Sequence, residues 1–165
     1  MNGGDLSVSI CPIVVRPYVP ADCEATIDIF LRAIREVASK DYSQAEVDAW
    51  AQVDDREEWA QRRSSRPTWI AERNGVAVGF SDLEPDGHLD MMFVHPDYQG
   101  IGAASLLLAT VEAAATARGL SRVFTEASLT ARPFFERRGF AVLVRQTVEK
   151  RGRTLTNFRM EKIIP

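Results

Sequence analysis

Two glycines at the start of a long helix-forming run are the residues whose type and spacing could do chemistry. They belong to the turn Gln99-Gly100-Ile101-Gly102-Ala103-Ala104. The start of a helix presents about four backbone N–H groups without partners and a partial positive charge, so it favours a phosphate group. Because glycine has no side chain, Gly100 and Gly102 would let an anion approach the backbone closely. The turn therefore predicts a site for a diphosphate group.

Other phosphate-binding motifs with glycine-rich turns have a different spacing. Dinucleotide-binding turns follow G-x-G-x-x-G, and P-loops follow G-x-x-x-x-G-K-[ST]. The sequence around Gly100 fits neither pattern, because the third small residue stands in another register and the lysine is missing. Neither of these two motifs explains the turn.

A second motif lies further along the chain. The turn follows Val94-His95-Pro96, and the second motif comprises Ser128, Ala131 and then Phe134-Phe135-Glu136-Arg137-Arg138-Gly139-Phe140. Together the two motifs resemble those of the GNAT superfamily of N-acetyltransferases, in which [Q/R]-x-x-G-x-[G/A] follows a strand that ends in V-x-P. With Tyr42-Ser43 and Ala49-Trp50-Ala51 upstream, the chain particularly resembles the small bacterial acetyltransferases of the YafP type. The resemblance covers nearly the whole chain from about Ile13.

The resemblance implies an acetyl-CoA-dependent N-acetyltransferase that acts on a primary amine by direct attack on the thioester. Backbone groups at the end of one strand would hold the acetyl carbonyl and the pantetheine arm: Met92, Phe93 and Val94. The diphosphate would lie on Gln99, Gly100, Ile101, Gly102, Ala103, Ala104 and Ser105. The thiol end of the cofactor would be lined by Ser128, Ala131, Phe134 and Phe135. Core packing is the alternative role for Met92 and Phe93, and the two roles are compatible because the implied contacts come from the backbone.

Acetyl transfer to an amine requires that the amine first lose a proton. An amine with a pKa of about 10.4 is almost entirely protonated at neutral pH, so a carboxylate is needed as a base. Asp90 lies four residues before Val94, and strand alternation would place it on the same face as Met92 and Val94. We expect Asp90 to act as the base, directly or through water. A strand-end Asp that faces solvent is the competing interpretation, and His88 is the weaker rival for the role.

A second proton must reach the sulfur of the departing CoA. Many family members supply it from a Tyr of the second motif, but Phe135 stands there and has no hydroxyl. A thiol with a pKa of about 8.5 is a tolerable leaving group without help. Tyr42 and Tyr98 are the candidate donors if the fold brings either one close, with packing or surface exposure as the alternative for both.

Two other functions stay open at this point. One is a non-catalytic module that binds or senses acyl-CoA, which Phe135 favours. The other is a nucleotide-binding domain of other chemistry, which predicts stabilisation by NAD or ATP rather than by coenzyme A. The acceptor, a small molecule or a peptide, should bind near the first two helices and the hairpin at Arg151, and Trp50 could belong to that pocket or to the core.

Periodicity predicts the elements that must position these residues. A strand at 13–16 and a turn at 20–22 precede an amphipathic helix whose apolar residues lie between Ile27 and Val37. A capped helix follows Ser43, and a further helix covers 57–63. Residues 68–73 and 76–80 flank Asn74-Gly75 as a two-residue hairpin, and 88–94 forms a third antiparallel strand. The long helix ends at Gly119, and then a strand at 122–126, a helix at 131–138 and a terminal hairpin of 140–149 and 154–162 complete the chain.

This order predicts an α/β (α+β) fold, the GNAT fold. We expect a mixed, mostly antiparallel central sheet of about six or seven strands with helices on both faces. The whole chain, 1–165, reads as one domain with its core at about 13–163.

Composition excludes several classes of protein. With 45% hydrophobic residues, 26% charged residues and a net charge of −3, the chain should be a globular domain with no nucleic-acid or membrane partner. The apolar segment at 6–15 is short and is broken by Pro12, so it predicts a lead into the first strand rather than a signal peptide. The presence of only two cysteines, Cys11 and Cys23, favours a cytoplasmic protein. These cysteines and the two His lack zinc-site spacing, so we expect no metal. The terminal strands could pair with a second copy as a homodimer or stay solvated.

Overall fold

The computed structural model describes residues 12–165. The part of the predicted strand lead-in before Pro12, including Cys11, lies outside the described residues. The helices are α1 (Cys23–Glu36), α2 (Gln44–Trp50), α3 (Arg56–Ser64), α4 (Ala103–Ala117) and α5 (Arg132–Arg137). The strands are β1 (Val14–Pro17), β2 (Thr68–Arg73), β3 (Val76–Asp82), β4 (Met92–Val94), β5 (Arg122–Ser128), β6 (Ala141–Lys150) and β7 (Arg153–Ile163).

The strands form two antiparallel sheets, with the orders β1-β2-β3-β4 and β5-β7-β6. A parallel bridge between His88 and Phe124 joins them: Leu89 N donates to Phe124 O at 2.8 Å, and Phe124 N donates to Gly87 O at 3.0 Å. The predicted order of elements and the α/β (α+β) class are confirmed. The predicted mixture of parallel and antiparallel pairing is limited to this one parallel bridge between the two antiparallel sheets of the described residues.

The predicted two-residue hairpin is confirmed. Asn74 has a φ of 52° and Gly75 a φ of 73°, which is the left-handed geometry of a type I′ turn between β2 and β3. Phe80 pairs with Ile70 across the hairpin and with Phe93 of β4. The hairpin thus places β4 at the edge of the first sheet.

Strand β4 is shorter than the predicted span of 88–94, because a buried carboxylate competes for the backbone amides that precede it. One oxygen of Asp82, Oδ1, accepts hydrogen bonds from Asp90 N and Met91 N, both at 2.9 Å. Side-chain bonds of this kind replace ladder bonds, so regular pairing with β3 covers only Met92–Val94. The residues before Asp90 turn instead to β5 and form the bridge at His88.

Helices cover both faces of the first sheet, as predicted. Adjacent residues of a strand point to opposite faces, and on β2 these residues are Ile70 and Ala71. Ile70 packs in a cluster with Ile34 of α1, whereas Ala71 packs in a cluster with Leu107 of α4. A third cluster lies between α4, α5 and the second sheet, and Phe135 and Met160 belong to it. Within residues 12–165, no helix is both long and apolar enough to cross a membrane.

An ion pair of Arg63 and Asp82 is buried at the end of β3. The side chains of Arg63 and Asp82 are both 0% exposed, with Nη2 and Oδ2 at 3.8 Å. The guanidinium of Arg63 lies 4.8 Å from the Trp59 ring centroid, and its three nitrogens have no hydrogen-bond partner in the described residues. Burial is the main reason that the pKa of Asp82 is raised to about 6, although the Met91 amide and Arg63 oppose the shift. Nη1 of Arg66 lies 3.7 Å from the same Asp82 oxygen, so Asp82 has two cationic neighbours, whereas the buried Arg63 depends on Asp82 for its counter-charge.

Replacement of Asp82 by Asn should lower the free energy of unfolding by roughly 3 kcal/mol or more, because it leaves the buried Arg63 charge without its counter-charge. Urea denaturation measures the change. The double variant Arg63→Met, Asp82→Asn should recover most of the loss, since neither charge then remains. Glu24→Ala, which removes an ion pair with Arg56 whose side chains are 73% and 60% exposed, is the control and should change the free energy by about 1 kcal/mol or less. A loss for Asp82→Asn no larger than that of the control contradicts the prediction.

Candidate active site

The glycine-rich turn forms an open start for α4. Gly102 immediately precedes the helix with a φ of 93°, and Gly100 has a φ of 74°. A Cβ added at either glycine would meet nothing within 4 Å, so the space in front of the helix is free. No side chain caps the helix at Gly102, and the first bond from Leu106 N to Gly102 O leaves the preceding amides of the first turn available. This geometry suits an anion.

Neighbouring side chains fix the turn in place. Gln99 Nε2 donates to Val94 O at 2.8 Å, which ties the turn to the end of β4. Ser105, in the first turn of α4, accepts a hydrogen bond from Arg138 after α5. Ile101 is 39% exposed. The turn thus joins the end of β4 to the region of the second sequence motif.

A cavity of about 190 Å³, here called the small cavity, runs from this turn along β4 to α5. Nine of the residues expected to bind the cofactor line it: Met92, Phe93, Val94, Gln99, Ala104, Ser128, Ala131, Phe134 and Phe135. The other expected cofactor residues, Gly100, Ile101, Gly102, Ala103 and Ser105, belong to the turn and the first turn of α4. The structure therefore brings the two sequence motifs together around one cleft.

A second cavity of about 490 Å³, here called the large cavity, lies next to the small cavity. Its walls come from α1, α2, α3 and the hairpin of β6 and β7, with Arg151 among the lining residues. This matches the predicted surroundings of the acceptor. Three residues line both cavities: Trp50, Phe93 and Ser128. The two cavities therefore meet at these residues.

Asp90 lines the large cavity, although it is not part of a strand. The predicted strand alternation does not extend to Asp90, because the Asp82 carboxylate, rather than a ladder, holds the Asp90 amide. The Asp90 side chain is 30% exposed, and its Oδ2 lies 3.4 Å from Nη1 of Arg66. The carboxylate thus faces the cavity from the loop before β4.

Tyr42 is brought to the large cavity, and Tyr98 is not. The Tyr42 hydroxyl donates to Thr156 O at 2.6 Å and accepts from Leu129 N at 2.9 Å. Burial raises the pKa of the Tyr42 phenol, so the group keeps its proton at neutral pH. Tyr98 lies in the short helix after β4, against the His95 ring, and lines neither cavity.

The second sequence motif begins α5 beside the small cavity. Ser128 Oγ accepts a hydrogen bond from Ala131 N at 3.0 Å, which turns the chain from β5 into the helix. Phe135 is 4% exposed and packs with Phe134 and Phe140, at ring-centroid distances of 5.3 Å and 5.1 Å. Position 135 therefore presents an aromatic ring without a hydroxyl to the cleft.

A cluster around His88 was not predicted from the sequence. Its Nδ1 lies 2.8 Å from Glu84 Oε1, and its Nε2 lies 2.5 Å from Glu126 Oε2. Glu126 also lines the large cavity. Burial lowers the pKa of His88, but the bonds to Glu126 and Glu84 outweigh it and raise the pKa overall. Alternation along β5 could have found Glu126, since it lies two residues before Ser128 and shares its face.

Part of this cluster has the composition of a metal site. Ligand atoms of Glu84, His88 and Asp90 lie within 4.8 Å of one another. Nη1 of Arg66 lies 3.0 Å from Glu84 Oε1 and 3.4 Å from Asp90 Oδ2. The guanidinium thus already supplies a positive charge to the two carboxylates, and it would repel a cation bound between them.

Comparisons with known proteins agree with this arrangement. Residues 38–162 match the family model of the acetyltransferase (GNAT) domain. The chain is 40% identical over 149 residues to the uncharacterised N-acetyltransferase YafP of Escherichia coli, which covers 90% of this chain and 94% of that protein. A crystal structure of a GCN5-related N-acetyltransferase from Rhodopseudomonas palustris is 39% identical, with a TM-score of 0.88 over 91% of this chain and 94% of that one.

A more distant structure shares the fold. The acetyltransferase yncA of Salmonella typhimurium, solved with its cofactor acetyl-CoA, is 20% identical and has a TM-score of 0.72 over 93% of this chain and 95% of that one. These matches support catalysis over the alternative of a module that only binds or senses acyl-CoA. With the family model matched across both cavities, the chain belongs to the GNAT acetyltransferases and is an N-acetyltransferase.

Proposed function

We propose that this enzyme transfers the acetyl group of acetyl-CoA to a primary amine that enters through the large cavity. The observation that carries the proposal is the meeting of the two cavities at Trp50, Phe93 and Ser128. A thioester carried along the small cavity would reach this junction from one side, and an amine would reach it from the other. Direct attack then needs no enzyme-bound acetyl intermediate.

The cofactor is proposed to lie along the small cavity with its diphosphate in front of α4. The amides at the start of this helix and the bare backbone of Gly100 and Gly102 would bind the diphosphate, and Gln99 would hold the turn against β4. The remaining cofactor residues are those of the sequence prediction: Met92, Phe93, Val94, Ile101, Ala103, Ala104, Ser105, Ser128, Ala131, Phe134 and Phe135. Their placement along one cleft supports this assignment.

Asp90 is proposed as the base and Tyr42 as the acid. Asp90 removes a proton from the ammonium group, directly or through water, and the nitrogen lone pair then attacks the thioester carbonyl. When the C–S bond breaks, the Tyr42 hydroxyl turns from Thr156 O, to which it donates in the structure, and gives its proton to the CoA sulfur. The nitrogen loses its second proton to water. The Leu129 amide, which donates to the Tyr42 oxygen, would stabilise the phenolate that remains.

The large cavity favours an acceptor with a positive charge near the junction. Its lining has more acidic than basic residues, and it includes Trp50. The acidic residues are Asp54, Asp55, Glu58, Asp90, Glu126 and Glu149, and the basic ones are Arg62, Arg63, Lys150 and Arg151. An ammonium group is attracted by carboxylates and by the face of an aromatic ring. A small molecule or a peptide that carries a primary amine fits this description.

The remaining parts of the proposal concern partners and location. The net charge of −3 supports an enzyme without a nucleic-acid partner, and the position of Arg66 supports a reaction without metal. Bacterial relatives support a bacterial protein of the cytoplasm. The exposed apolar residues Val142, Leu143 and Val144 on β6, an edge strand, support a homodimer as one arrangement of the chain.

Replacement of Gly102 by Ala should weaken CoA binding roughly tenfold to a hundredfold. The new side chain strains the backbone at positive φ and intrudes where the diphosphate would lie, and one charged hydrogen bond is worth about 1.5–3 kcal/mol. Gly119→Ala is the matched control, because Gly119 has a φ of 68°, has open space around it and lies at the other end of α4. Titration calorimetry with CoA measures both variants. Equal affinities, or no heat for the wild type, would sink the proposed cofactor site.

Asp90→Asn should lower kcat/KM for a primary amine at pH 7 by about 10²–10⁴-fold, because the ammonium group loses its base. The deficit should shrink as the pH approaches the pKa of the amine, where the neutral amine forms without help. Asp28→Asn on the exposed face of α1 is the control and should behave as wild type. Release of CoA thiol over a panel of amines is the assay. A deficit that stays constant with pH contradicts the assignment of Asp90 as base.

Tyr42→Phe should lower kcat about tenfold to a hundredfold while KM for acetyl-CoA changes little, because the leaving sulfur loses its proton donor. Tyr98→Phe, which alters a residue outside both cavities, should leave kcat unchanged. Thermal unfolding of each variant is measured alongside. A Tyr42→Phe protein with a lowered melting temperature and normal kcat would assign Tyr42 a structural role alone.

A further inference from the structure

Four aromatic side chains form a row that runs from the junction of the two cavities along the large cavity. Trp50 and Phe93 line both cavities, whereas Phe30 and Trp59 line the large cavity alone. The ring centroid of Phe93 lies 6.3 Å from that of Trp50 and 5.1 Å from that of Phe30. The centroids of Phe30 and Trp59 are 4.9 Å apart. These four residues, from α2, β4, α1 and α3, are here called the aromatic row.

The aromatic row presents apolar surface to the large cavity. The indole N–H of Trp59 donates to Oγ1 of the buried Thr26 at 2.9 Å, so it requires no partner from a ligand. The two Phe rings have no polar side-chain atom. The hairpin of β6 and β7 adds two aliphatic side chains to the lining, Val148 and Leu155. An acceptor that lies along the row is therefore favoured when this part of it is apolar.

Several charged groups of the same lining are paired within the protein. Asp54 Oδ2 lies 2.5 Å from Arg151 Nη2, and Glu58 Oε1 lies 2.9 Å from Arg62 Nη2. Asp55 Oδ1 accepts hydrogen bonds from two amides at the start of α3. All five residues line the large cavity. Because these groups already have partners, the lining favours an acceptor whose one charged group is its amine over a diamine or an amino acid.

An amine that attacks a thioester at the junction brings the atoms next to its nitrogen to the start of the aromatic row. A ring joined to the nitrogen by a short carbon chain would then lie against Phe93, Phe30 and Trp59. Aromatic rings attract one another edge to face, in addition to the effect of burial. Phe93 meets Phe30 at an interplanar angle of 82° and Trp50 at 61°. A further ring can continue this pattern.

We propose that the acceptor is a primary amine whose nitrogen is joined by a short carbon chain to an aromatic ring, and that the aromatic row binds this ring. The proposal rests on the proposed function, and the transfer step is the same. A C–N bond forms and the C–S bond breaks. The nitrogen loses one proton to Asp90 and one to water, and the sulfur gains one from Tyr42. Phe30 and Trp59 determine specificity and take no part in the proton transfers.

The amines 3-phenylpropylamine, 3-cyclohexylpropylamine and propylamine test the proposal, because their carbon chains are the same and the ring is too distant from the nitrogen to change its pKa much. Release of CoA thiol from acetyl-CoA gives kcat/KM for each amine. In the wild type, kcat/KM should be about tenfold to a hundredfold higher for 3-phenylpropylamine than for propylamine, since the ring is buried. A value for propylamine or for 3-cyclohexylpropylamine that equals or exceeds that for 3-phenylpropylamine overturns the proposal.

Phe30→Leu and Trp59→Leu test whether the aromatic row binds the ring, since Leu is apolar but not aromatic. Each should lower the ratio of kcat/KM for 3-phenylpropylamine to that for 3-cyclohexylpropylamine about twofold to tenfold. A partial loss of folded enzyme cancels in this ratio. Trp69→Leu is the matched control for Trp59→Leu, because Trp69 of β2 lines neither cavity. An unchanged ratio in both test variants, or an equal change in Trp69→Leu, overturns the proposal.

Titration calorimetry of the CoA-bound enzyme with 3-phenylpropylamine and with propylamine tests binding without turnover. We expect the amine with the ring to bind at least about tenfold more tightly. Equal affinities overturn the role of the aromatic row. If the wild type releases no CoA thiol with any amine, the proposed function fails and this inference with it. If propylamine is acetylated as well as 3-phenylpropylamine, the proposed function stands and the inference alone fails.

Discussion

The buried carboxylate of Asp82 is the constraint on which the site depends. It lies at the end of β3 and takes the amides of Asp90 and Met91, while Asp82 N still donates to Met91 O at 3.1 Å, so regular pairing ends there. The same arrangement sends His88 to β5 and leaves Met92–Val94 paired with β3 only. The two cavities meet at Phe93 on β4 and Ser128 on β5, the two strands that separate after this point. A carboxylate of this kind must be held by something equally buried, and Arg63 provides that charge.

The sequence predicted the elements well because each one carries a local signal. The Asn74-Gly75 turn, the Ser43 capping box and the alternation around Ile70 depend on neighbours in sequence, and all three are present in the structure. The β4 boundary could not be predicted in this way. It depends on a side chain eight residues before Asp90, and nothing in the local pattern of 88–94 shows that Asp82 will take its amides.

The same distinction between local and distant neighbours decides which site residues could be predicted. The proposed cofactor residues follow one another in two motifs, so a resemblance could suggest them, and nine of them line one cavity. Glu84 and Glu126 lie 4 and 38 residues from His88, and the three side chains meet because the bridge at His88 joins two sheets. No spacing rule finds such a cluster. Residues of the large cavity come from elements that are far apart in the sequence, which explains why the surroundings of the proposed acceptor could be predicted but not its identity.

Phe135 departs from the family pattern, and the proposed mechanism gives the role of proton donor to another element. Phe135 lines the small cavity on α5, where its ring packs into the core. Tyr42 precedes α2 and lines the large cavity, so it lies on the opposite side of the junction. Its burial disfavours the phenolate, so the hydroxyl is protonated before the C–S bond breaks. A thiolate is a weaker base than a phenolate, so the proposed proton transfer to the sulfur requires that the phenolate be stabilised. The amide of Leu129, which donates to the Tyr42 oxygen and opposes the rise in its pKa, would supply that stabilisation.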